Sequence, residues 1–514
     1  MSKVGILTPP GYETAKPSIY THLNHSAAYA AIVHLERTEL FSLLSKGKLY
    51  DTDIYDNFPH PDRILGSLNF LYDMSLVEDK GRFQLTQSGK EFTQYIMQLY
   101  GGDYVDTYTD LASITEEALG WRKQIEHTVP DIMQDRFPAT ENIRQYTLFP
   151  VALAFFNEYR VQEGKYAGKT LSEVCMDAFG KKEFINFESL ISKDIPHADL
   201  IKEYIQVFID KGLLEGQYNR ATVTKNGAHV FYVSAFAVLH VSYNSTMQNL
   251  DHISSGKKSY GYGKDVNRLG EYNARGSNGI IGIRVAAQIQ DVVNEMIENG
   301  TDKNIVTIDL GSGGGLIAEK MLWKEENGEY VRNNVNTSYG MDISHEAIAA
   351  AEKYVAEKGV EDSVRFIQGD ITQSKDYDRL NKMIYKNHGD NTQKYVTENF
   401  ITHENEIIGN GILREVGPAF PDATIFITES FKIDREIRRK RWNYQAAIFN
   451  FYHEISGQHL WKKEELMDLF SRYGYTVLED KVKVHSSLSG MTDHPKDKID
   501  TIATFPLKYQ GISR

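Results

Sequence analysis

The feature that most constrains the fold is the segment Val306–Gly315, which has the sequence VTIDLGSGGG. An apolar, β-branched run leads into Asp309, and four of the six residues after it are glycines. A helix-like stretch, LIAEKML, comes next. A strand, a glycine turn and a helix in this order are typical of the first βαβ unit of an α/β sheet. The glycines permit a tight turn close to a ligand, and the helix N-terminus offers unpaired N–H groups to it.

The glycine turn has the pattern D-x-G-x-G-x-G, which resembles the first motif of class I S-adenosylmethionine (SAM) methyltransferases. It is not the dinucleotide pattern G-x-G-x-x-G, because Leu316 stands at the last glycine position. The resemblance implies that Asp309 and the glycines hold the amino-acid part of SAM. A Rossmann-like domain that binds another nucleotide, or no nucleotide, is the alternative.

Three further strand-like segments follow in the order that this family has: TSYGMDIS, VRFIQGDIT and ATIFITES. The resemblance implies that Asp342, at the end of the first of them, accepts the two ribose hydroxyl groups. It also implies that Asp370 and Ile371 flank the adenine. The complete set assigned to the cofactor is Asp309, Gly311, Ser312, Gly313, Gly315, Asp342, Ile343, Asp370 and Ile371.

The predicted fold is therefore α/β, with a Rossmann-like SAM methyltransferase domain over residues 286–514. The family resemblance implies a seven-stranded, mostly parallel sheet with helices on both faces. Its last two strands are predicted at YTVLEDKVKV and DTIATFPLKY, the final one antiparallel.

Composition narrows the class of protein further. The 514 residues suffice for two to four domains, and 41% hydrophobic with 25% charged residues is typical of a globular protein. A net charge of −13 argues against general binding of nucleic acid or of a membrane surface. Cys175 is the single cysteine, so no intrachain disulfide forms. We expect a cytoplasmic protein, because the sequence shows neither a signal peptide nor an apolar run long enough to span a membrane.

The half before the glycine turn contains a repeated pattern. LYDMSLVEDKGRFQLTQSGKEF and FIDKGLLEGQYNRATVTKNGAHVF share an apolar helix end, a polar turn, a strand and a Thr-x-x-Gly sequence. This order predicts two tandem winged-helix modules. Residues 1–25 are interpreted as an N-terminal arm, residues 26–148 as the first module with a helical connector, and residues 149–245 as the second module.

Winged helices often bind DNA through their longer helix. The corresponding helices here are not basic, since one carries Asp62, Arg63 and Asp73 and the other is likewise mixed in charge. Packing and dimerisation modules are therefore favoured over DNA-binding modules. The resemblance also implies a homodimer. A winged-helix regulator whose SAM domain only senses its ligand is the non-enzymatic alternative.

Residues 246–285 join the two halves and include a polar, Gly- and Tyr-rich stretch. Irregular segments of this length are usually functional, so a substrate lid is predicted, with a flexible linker as the alternative. The candidate lid residues are Arg268, Asn273, Arg275 and Ser277.

His403 and Glu404 follow the apolar residues FIT, which suggests a position at the carboxyl end of a strand, where α/β sheets bind ligands. The winged-helix half and this pair together resemble the plant-type O-methyltransferase superfamily. Its members carry a His-Asp pair at this point, in which the histidine is a general base. Glu404 replaces the aspartate here.

A later segment, NFYHEISGQHLW, contains His453 and Gln458. This layout resembles a subset of iron-dependent C-methyltransferases that act on 2-oxo acids or on carrier-bound polyketide starters. The resemblance implies a mononuclear iron site formed by His403, Glu404, His453 and Gln458, which would stabilise an enolate for C-methylation. The alternative is metal-free O-methylation with His403 as base. The acceptor is a small-molecule or carrier-bound substrate.

Overall fold

The protein is described by a computed structural model over residues 19–100, 141–191, 198–232, 234–270, 273, 276–277, 286–298, 304–326, 329–404, 406–432, 444–486 and 500–511. The chain forms two compact units. The first comprises Met1–Gly276 and Trp442–Ser456, and the second comprises Ser277–Arg441 and Gly457–Arg514. This division differs from the predicted boundaries, because residues 442–456 were assigned to the methyltransferase domain.

The first unit is mainly helical. Its helices before residue 277 are α1 (Ile19–Arg37), α2 (Phe41–Ser45), α3 (Asp51–Tyr55), α4 (Pro61–Asp73), α5 (Gln87–Tyr100), α6 (Glu141–Glu158), α7 (Leu171–Lys181), α8 (Phe187–Leu190), α9 (Ala198–Asp210), α10 (Lys225–Tyr232), α11 (Ala235–Ser242), α12 (Asn244–Gln248) and α13 (Leu250–Ser254). Two antiparallel hairpins join helices within it: β1 (Val77–Asp79) with β2 (Phe83–Leu85), and β3 (Leu214–Gln217) with β4 (Arg220–Val223). Helix α1 begins inside the segment that was predicted as an arm, and residues 1–18 of that arm lie outside the described residues.

Both hairpins are followed by the Thr-x-x-Gly sequence that the repeat predicted, and both copies have the same geometry. Thr86 Oγ1 accepts a hydrogen bond from Gly89 N at 3.0 Å, and Thr224 Oγ1 accepts one from Gly227 N at 2.9 Å. Each glycine packs on the backbone before its hairpin, because an added Cβ would lie 2.0 Å from Leu76 O or from Leu213 O. The two segments are therefore one structural motif used twice.

The second unit contains an eight-stranded sheet. Its strands are β5 (Asn304–Leu310), β8 (Thr337–Asp342), β9 (Val364–Gln368), β10 (Thr392–Asn399), β11 (Thr424–Ser430), β12 (Tyr475–Val477), β13 (Lys483–Ser486) and β14 (Asp500–Tyr509), while β6 (Trp323–Glu326) and β7 (Glu329–Arg332) form a separate hairpin. The order is β12-β14-β11-β10-β5-β8-β9, with β13 also paired to β14. Strands β9, β8, β5, β10 and β11 are parallel, and β14 is antiparallel to β11 as predicted.

Helices cover both faces of this sheet. One face carries α14 (Ala286–Glu298), α15 (Leu316–Lys320) and α16 (His345–Glu357). The other face carries α17 (Ser374–His388), α18 (Glu406–Ala419) and α20 (Lys463–Arg472). Alternate residues of β5 enter the two cores. Ile308 packs in a cluster with Leu380 of α17 and Leu413 of α18. Ile305 packs in a second cluster with Ile289 of α14. A central strand that is apolar on both faces is the pattern expected of a parallel sheet between two helical layers.

Two local predictions were wrong. The segment YTVLEDKVKV is not one strand, because it is divided between β12, a short 3₁₀ turn and β13, which gives the sheet its eighth strand. The strand before His403 ends at Asn399 and does not include FIT.

Helix α19 (Tyr444–Ser456) returns the chain to the first unit, where it packs on α4. The rings of Phe70 and Phe451 lie 4.7 Å apart. Arg63 Nη1 donates a hydrogen bond to Glu454 O at 3.1 Å, and Asn69 Nδ2 donates one to Glu454 Oε2 at 3.2 Å. Apolar contact and hydrogen bonds to one helical turn therefore account for its membership of this unit. Among the described residues, no helix is long and apolar enough to cross a membrane.

The repeated motif gives a stability prediction. We expect Gly227→Ala to lower the free energy of unfolding by about 1–3 kcal/mol, because a methyl group 2.0 Å from Leu213 O forces the backbone to move. Gly180→Ala is the matched control, since Gly180 lies in α7 with no atom within 4 Å of the added Cβ. That change should stabilise the helix by up to about 1 kcal/mol. Urea unfolding measures both, and equal effects would contradict the packing argument.

Candidate active site

The glycine turn after β5 is held in a conformation that side chains disfavour. Gly311, Gly313 and Gly315 have φ values of 63°, 49° and 80°, in the left-handed region. A Cβ on Gly311 would lie 1.7 Å from Ile401 Cδ1, whereas one on Gly313 would meet nothing within 4 Å. The turn is thus tightly packed on one side and leaves space at Gly313 for a ligand.

Asp309 lies at the carboxyl end of β5 and is buried. Its Oδ1 accepts hydrogen bonds from Thr397 Oγ1 at 2.9 Å and from Asn399 Nδ2 at 3.2 Å. Burial raises the pKa of this carboxyl to about 7, and the nearby charge of Asp342 contributes in the same direction. A buried carboxylate in this state favours a cationic ligand group, because a neighbouring positive charge stabilises its ionised form.

Asp342 ties the glycine turn to the end of β8. Its Oδ2 accepts a hydrogen bond from Gly313 N, and its Oδ1 accepts one from Ser344 N, both at 2.9 Å. Ile343 is 43% exposed next to it. The resemblance assigns the ribose hydroxyls to this carboxylate, which can accept about four hydrogen bonds in total.

The predicted adenine residues follow β9. Asp370 Oδ1 accepts hydrogen bonds from Thr372 N at 2.9 Å and from Thr372 Oγ1 at 2.7 Å, so its carboxylate shapes its own turn. The side chain of Ile371 is buried. Gly369 N donates to Asp342 O at 2.9 Å, which brings this turn beside the β8 turn. The turns after β5, β8 and β9 therefore meet at one edge of the sheet, as the sequence predicted.

Two buried polar atoms at this edge test whether the residues fit SAM. Ser312 Oγ and Asn399 Oδ1 have no hydrogen-bond partner in the part of the chain that the structure describes. Unpaired buried polar atoms are costly, so a polar ligand is expected to meet them. Together with the space at Gly313 and the raised pKa of Asp309, they fit a cofactor that carries an amino-acid group.

His403 has a carboxylate partner that the sequence analysis did not identify. Its Nδ1 lies 2.7 Å from Glu429 Oε2, and its backbone N–H donates to Glu429 Oε1 at 3.2 Å. Both side chains are buried, and Glu429 belongs to β11. The predicted partner, Glu404, is only partly buried. The carboxylate that pairs with His403, to form what is called the dyad below, therefore comes from Glu429 on the next strand and not from Glu404, the next residue.

A second buried acid, Glu398, shapes the loop that carries His403. Its Oε1 accepts hydrogen bonds from Ile401 N at 2.8 Å and Thr402 N at 2.9 Å, and its Oε2 accepts one from Thr402 Oγ1 at 2.8 Å. Phe400, between these residues, has a φ of 61°. Burial raises the pKa of the Glu398 carboxyl, and the charge of Glu429 raises it further.

The four residues predicted to bind iron are divided between the units. His453 lies on α19 in the first unit, with its Nδ1 2.6 Å from Phe449 O, whereas His403, Glu404 and Gln458 belong to the second. Within the described ranges, no group of three or more His, Cys, Asp or Glu side chains could hold a metal ion. The prediction of iron is therefore not supported.

The candidate lid residues are also divided. Arg268 Nη1 donates to Tyr243 Oη at 3.2 Å in the first unit, and Asn273 N donates to Leu269 O at 2.9 Å. Ser277 is the first residue of the second unit, and Arg275 lies outside the described residues. Part of the predicted lid, up to Ser254, is helical.

Comparison with known proteins decides the class. Residues 301–463, which contain the glycine turn and His403, match a family model described as a methyltransferase domain. The protein is a SAM-dependent methyltransferase. The match covers less than half of the chain. A comparison with curated proteins found no match.

Several solved structures are similar to parts of this methyltransferase. A putative O-methyltransferase from Nostoc punctiforme is 11% identical, with a TM-score of 0.39, over 65% of this chain and 93% of its own. The mitomycin 7-O-methyltransferase MmcR is 11% identical, with a TM-score of 0.41, over 74% and 97%. The CurJ carbon methyltransferase is 10% identical, with a TM-score of 0.34, over 83% and 98%. No conclusion about the substrate follows from likenesses of this size.

Sequence reasoning missed Glu398, Asn399 and Glu429, although a signal for them exists. Each is a polar residue at the carboxyl end of a strand, which is TQKYVTEN for Glu398 and Asn399 and TIFITES for Glu429. In a parallel sheet those ends form the ligand-binding edge, so acids at these positions are candidates for the site. Their pairing with particular partners has no counterpart in sequence spacing.

The contacts of Asp342 lead to a prediction about the cofactor. We expect Asp342→Ala to weaken SAM binding about ten-fold or more, which is ~1.4 kcal/mol, because it removes an acceptor and releases Gly313 N. Ser344→Ala is the control, since it removes the hydroxyl that caps α16 by accepting from Ala347 N and that donates to Glu346 Oε2, and it leaves the Asp342 carboxylate in place. It should cost about 1 kcal/mol of stability and leave SAM affinity unchanged. Calorimetry that shows unaltered affinity for a folded Asp342→Ala variant would place the ribose site elsewhere.

Proposed function

We propose that this methyltransferase transfers the methyl group of SAM to an oxygen atom of a small-molecule substrate, with His403 as the general base. The observation that supports this proposal is the buried contact between His403 Nδ1 and Glu429 Oε2 at 2.7 Å. It lies at the carboxyl ends of β10 and β11, next to the strand whose turn carries the cofactor residues.

The contact with Glu429 selects the tautomer of His403. With the Nδ1–H donated to Glu429, the lone pair of the neutral imidazole is on Nε2. A substrate hydroxyl then gives its proton to Nε2, and the carboxylate of Glu429 stabilises the imidazolium that forms. SAM supplies an already electrophilic methyl group, so the task of the protein is to form the oxygen nucleophile and to aim it.

Glu398 acts on the same step through the backbone. Its three accepted hydrogen bonds hold Ile401 and Thr402, and His403 follows directly. The side chain of Ile401 in turn fills the space above Gly311. The position of the base is therefore coupled to the cofactor turn, which we infer is how the acceptor oxygen is brought close to the methyl group.

The dyad is tested by comparing two acids. Glu429→Gln should lower the rate of methyl transfer about 100-fold or more, because an amide no longer stabilises the imidazolium or fixes the tautomer. His403→Ala should lose activity to a similar extent. Glu404→Gln, the matched control, should stay within about three-fold of the parent. Transfer from labelled SAM to a substrate found by screening phenols and 2-oxo acids gives the rates. A larger loss in Glu404→Gln than in Glu429→Gln would overturn the assignment.

The metal-assisted C-methylation that the sequence also suggested is tested by metal content and by the effect of a chelator. It requires about one equivalent of a first-row metal in the purified protein, and loss of activity with a chelator. We expect elemental analysis to show no stoichiometric metal and activity to be insensitive to chelator. One bound equivalent that His453→Ala removes would favour C-methylation instead.

We propose that the repeated hairpin modules are winged helices that serve packing and not DNA binding. In both modules a bridge before the long helix pairs with the hairpin, Leu49 with Phe83 and Ile185 with Ala221. Helix α4, the counterpart of a DNA-reading helix, instead uses Arg63 and Asn69 to bind Glu454 of α19. Together with the net charge of −13, this disfavours the regulator alternative.

This interpretation predicts that the protein does not retain DNA even at low ionic strength, where electrostatic binding is strongest. Fluorescence anisotropy with a labelled random-sequence duplex measures it. Tight binding that weakens steeply with salt would instead support a DNA-binding regulator.

A further inference from the structure

The second unit contains a small set of unpaired buried polar atoms. In its described part they are Ser312 Oγ, Asn399 Oδ1, Asn410 Oδ1 and both amide atoms of Gln458. Ser312 and Asn399 lie at the carboxyl ends of β5 and β10, Asn410 lies in α18, and Gln458 follows α19. Buried amides elsewhere in the unit are paired: Gln290 Nε2 donates to Lys320 O at 2.9 Å, and Asn333 Nδ2 donates to Asn294 Oδ1 at 2.6 Å.

Gln458 differs from the other members of this set. It is 8% exposed, and neither its Nε2 nor its Oε1 has a partner among the residues that the structure describes. Leaving a buried donor and a buried acceptor unpaired is costly in the folded protein. A ligand that supplies the missing hydrogen bonds explains why a buried amide is kept at this position.

The backbone places Gln458 beside the proposed base. The N–H of the next residue, His459, donates to His403 O at 2.7 Å, and Trp461 Nε1 donates to Thr402 O at 3.2 Å. The segment from Gln458 to Trp461 therefore runs along the loop that carries His403. Ser312 and Asn399, by contrast, adjoin Asp309 and the cofactor turn. Ser312 and Asn399 thus adjoin the cofactor turn, whereas Gln458 adjoins the loop of the proposed base.

The charges around Gln458 restrict what the acceptor can carry. Asp309, Glu398 and Glu429 are buried carboxyl groups at this edge. Each of these acids disfavours a further negative charge nearby, because like charges repel strongly in a poorly hydrated site. The Oε1 of Gln458 adds a second restriction, because it needs a donor and a carboxylate has none.

We infer that Gln458 is a specificity residue that binds a neutral group of the methyl acceptor offering both a hydrogen-bond acceptor and a donor, such as a carboxamide. This inference rests on the proposed function, since it assigns the ligand beside His403 to the methyl acceptor. It excludes free 2-oxo acids and other carboxylates as the preferred substrates.

A stability measurement tests the inference without a substrate. Gln458→Met keeps the volume and removes the unpaired amide, so it should raise the Tm of the ligand-free protein by about 2–4 °C. Gln290→Met is the matched control, because it removes a buried glutamine amide that is paired. It should lower the Tm. A decrease for Gln458→Met comparable to that of Gln290→Met would show that its amide is already satisfied, and would overturn the inference.

The ligand class is tested with two probes of the same shape: salicylamide, which carries a neutral carboxamide, and salicylate, which carries a carboxylate in its place. Calorimetry in the presence of S-adenosylhomocysteine should show salicylamide binding at least about ten-fold tighter than salicylate. Gln458→Met should remove this preference. Binding of neither probe, preference for salicylate, or a preference that survives in Gln458→Met overturns the assignment.

These measurements separate the inference from the proposed function. Binding with S-adenosylhomocysteine needs no methyl transfer and no action of His403 as a base. A Gln458-dependent preference for the amide in a protein whose rate is unaffected by His403→Ala would reject the base mechanism and keep the specificity residue. Loss of the preference with an intact His403 dependence would reject the specificity residue alone.

Discussion

The packing of Ile401 on Gly311 links the two halves of the candidate active site. Gly311 has a left-handed backbone and no room for a Cβ, because Ile401 Cδ1 occupies that space. Ile401 is held by Glu398, and His403 lies two residues further along. The cofactor turn after β5 and the base after β10 are therefore parts of one packed structure. A change in either turn would move the other, since a close-packed core transmits small displacements.

Buried acids are concentrated at the same edge of the sheet. Asp309, Glu398 and Glu429 end neighbouring strands and are almost inaccessible to water. Burying an ionised carboxyl group costs free energy, which the hydrogen bonds and the histidine partner described above offset only in part. Burial raises the pKa of Asp309 and of Glu398, and Glu429 contacts His403. The free-energy cost of burying these carboxyl groups together is explained by ligands that carry positive charge or release protons at this edge.

The first unit uses one local motif twice. In each copy a threonine caps the helix after the hairpin, and a glycine lets that helix approach the backbone before the hairpin. Helix α19 then joins this unit although it follows β11 in the chain. It contacts α4 through hydrogen bonds from Arg63 and Asn69 to Glu454.

The sequence by itself determined the local features of this protein. The glycine turn, the strands around it, the antiparallel last strand and the repeated Thr-x-x-Gly motif depend on short-range spacing and on backbone freedom, which are visible in the order of residues. The homodimer and the roles of individual lid residues remain predictions.

Only the tertiary structure decided which side chains meet. Glu429, 26 residues from His403 along the chain, replaces Glu404 as its partner, because adjacent parallel strands place their carboxyl ends side by side. Helix α19 joins the first unit for the same kind of reason, since its apolar face packs on α4. The hydrogen bonds available to Gln458 likewise depend on the residues that surround it in the folded protein. Contacts between side chains of different strands follow from sheet order and burial, which residue spacing alone does not specify.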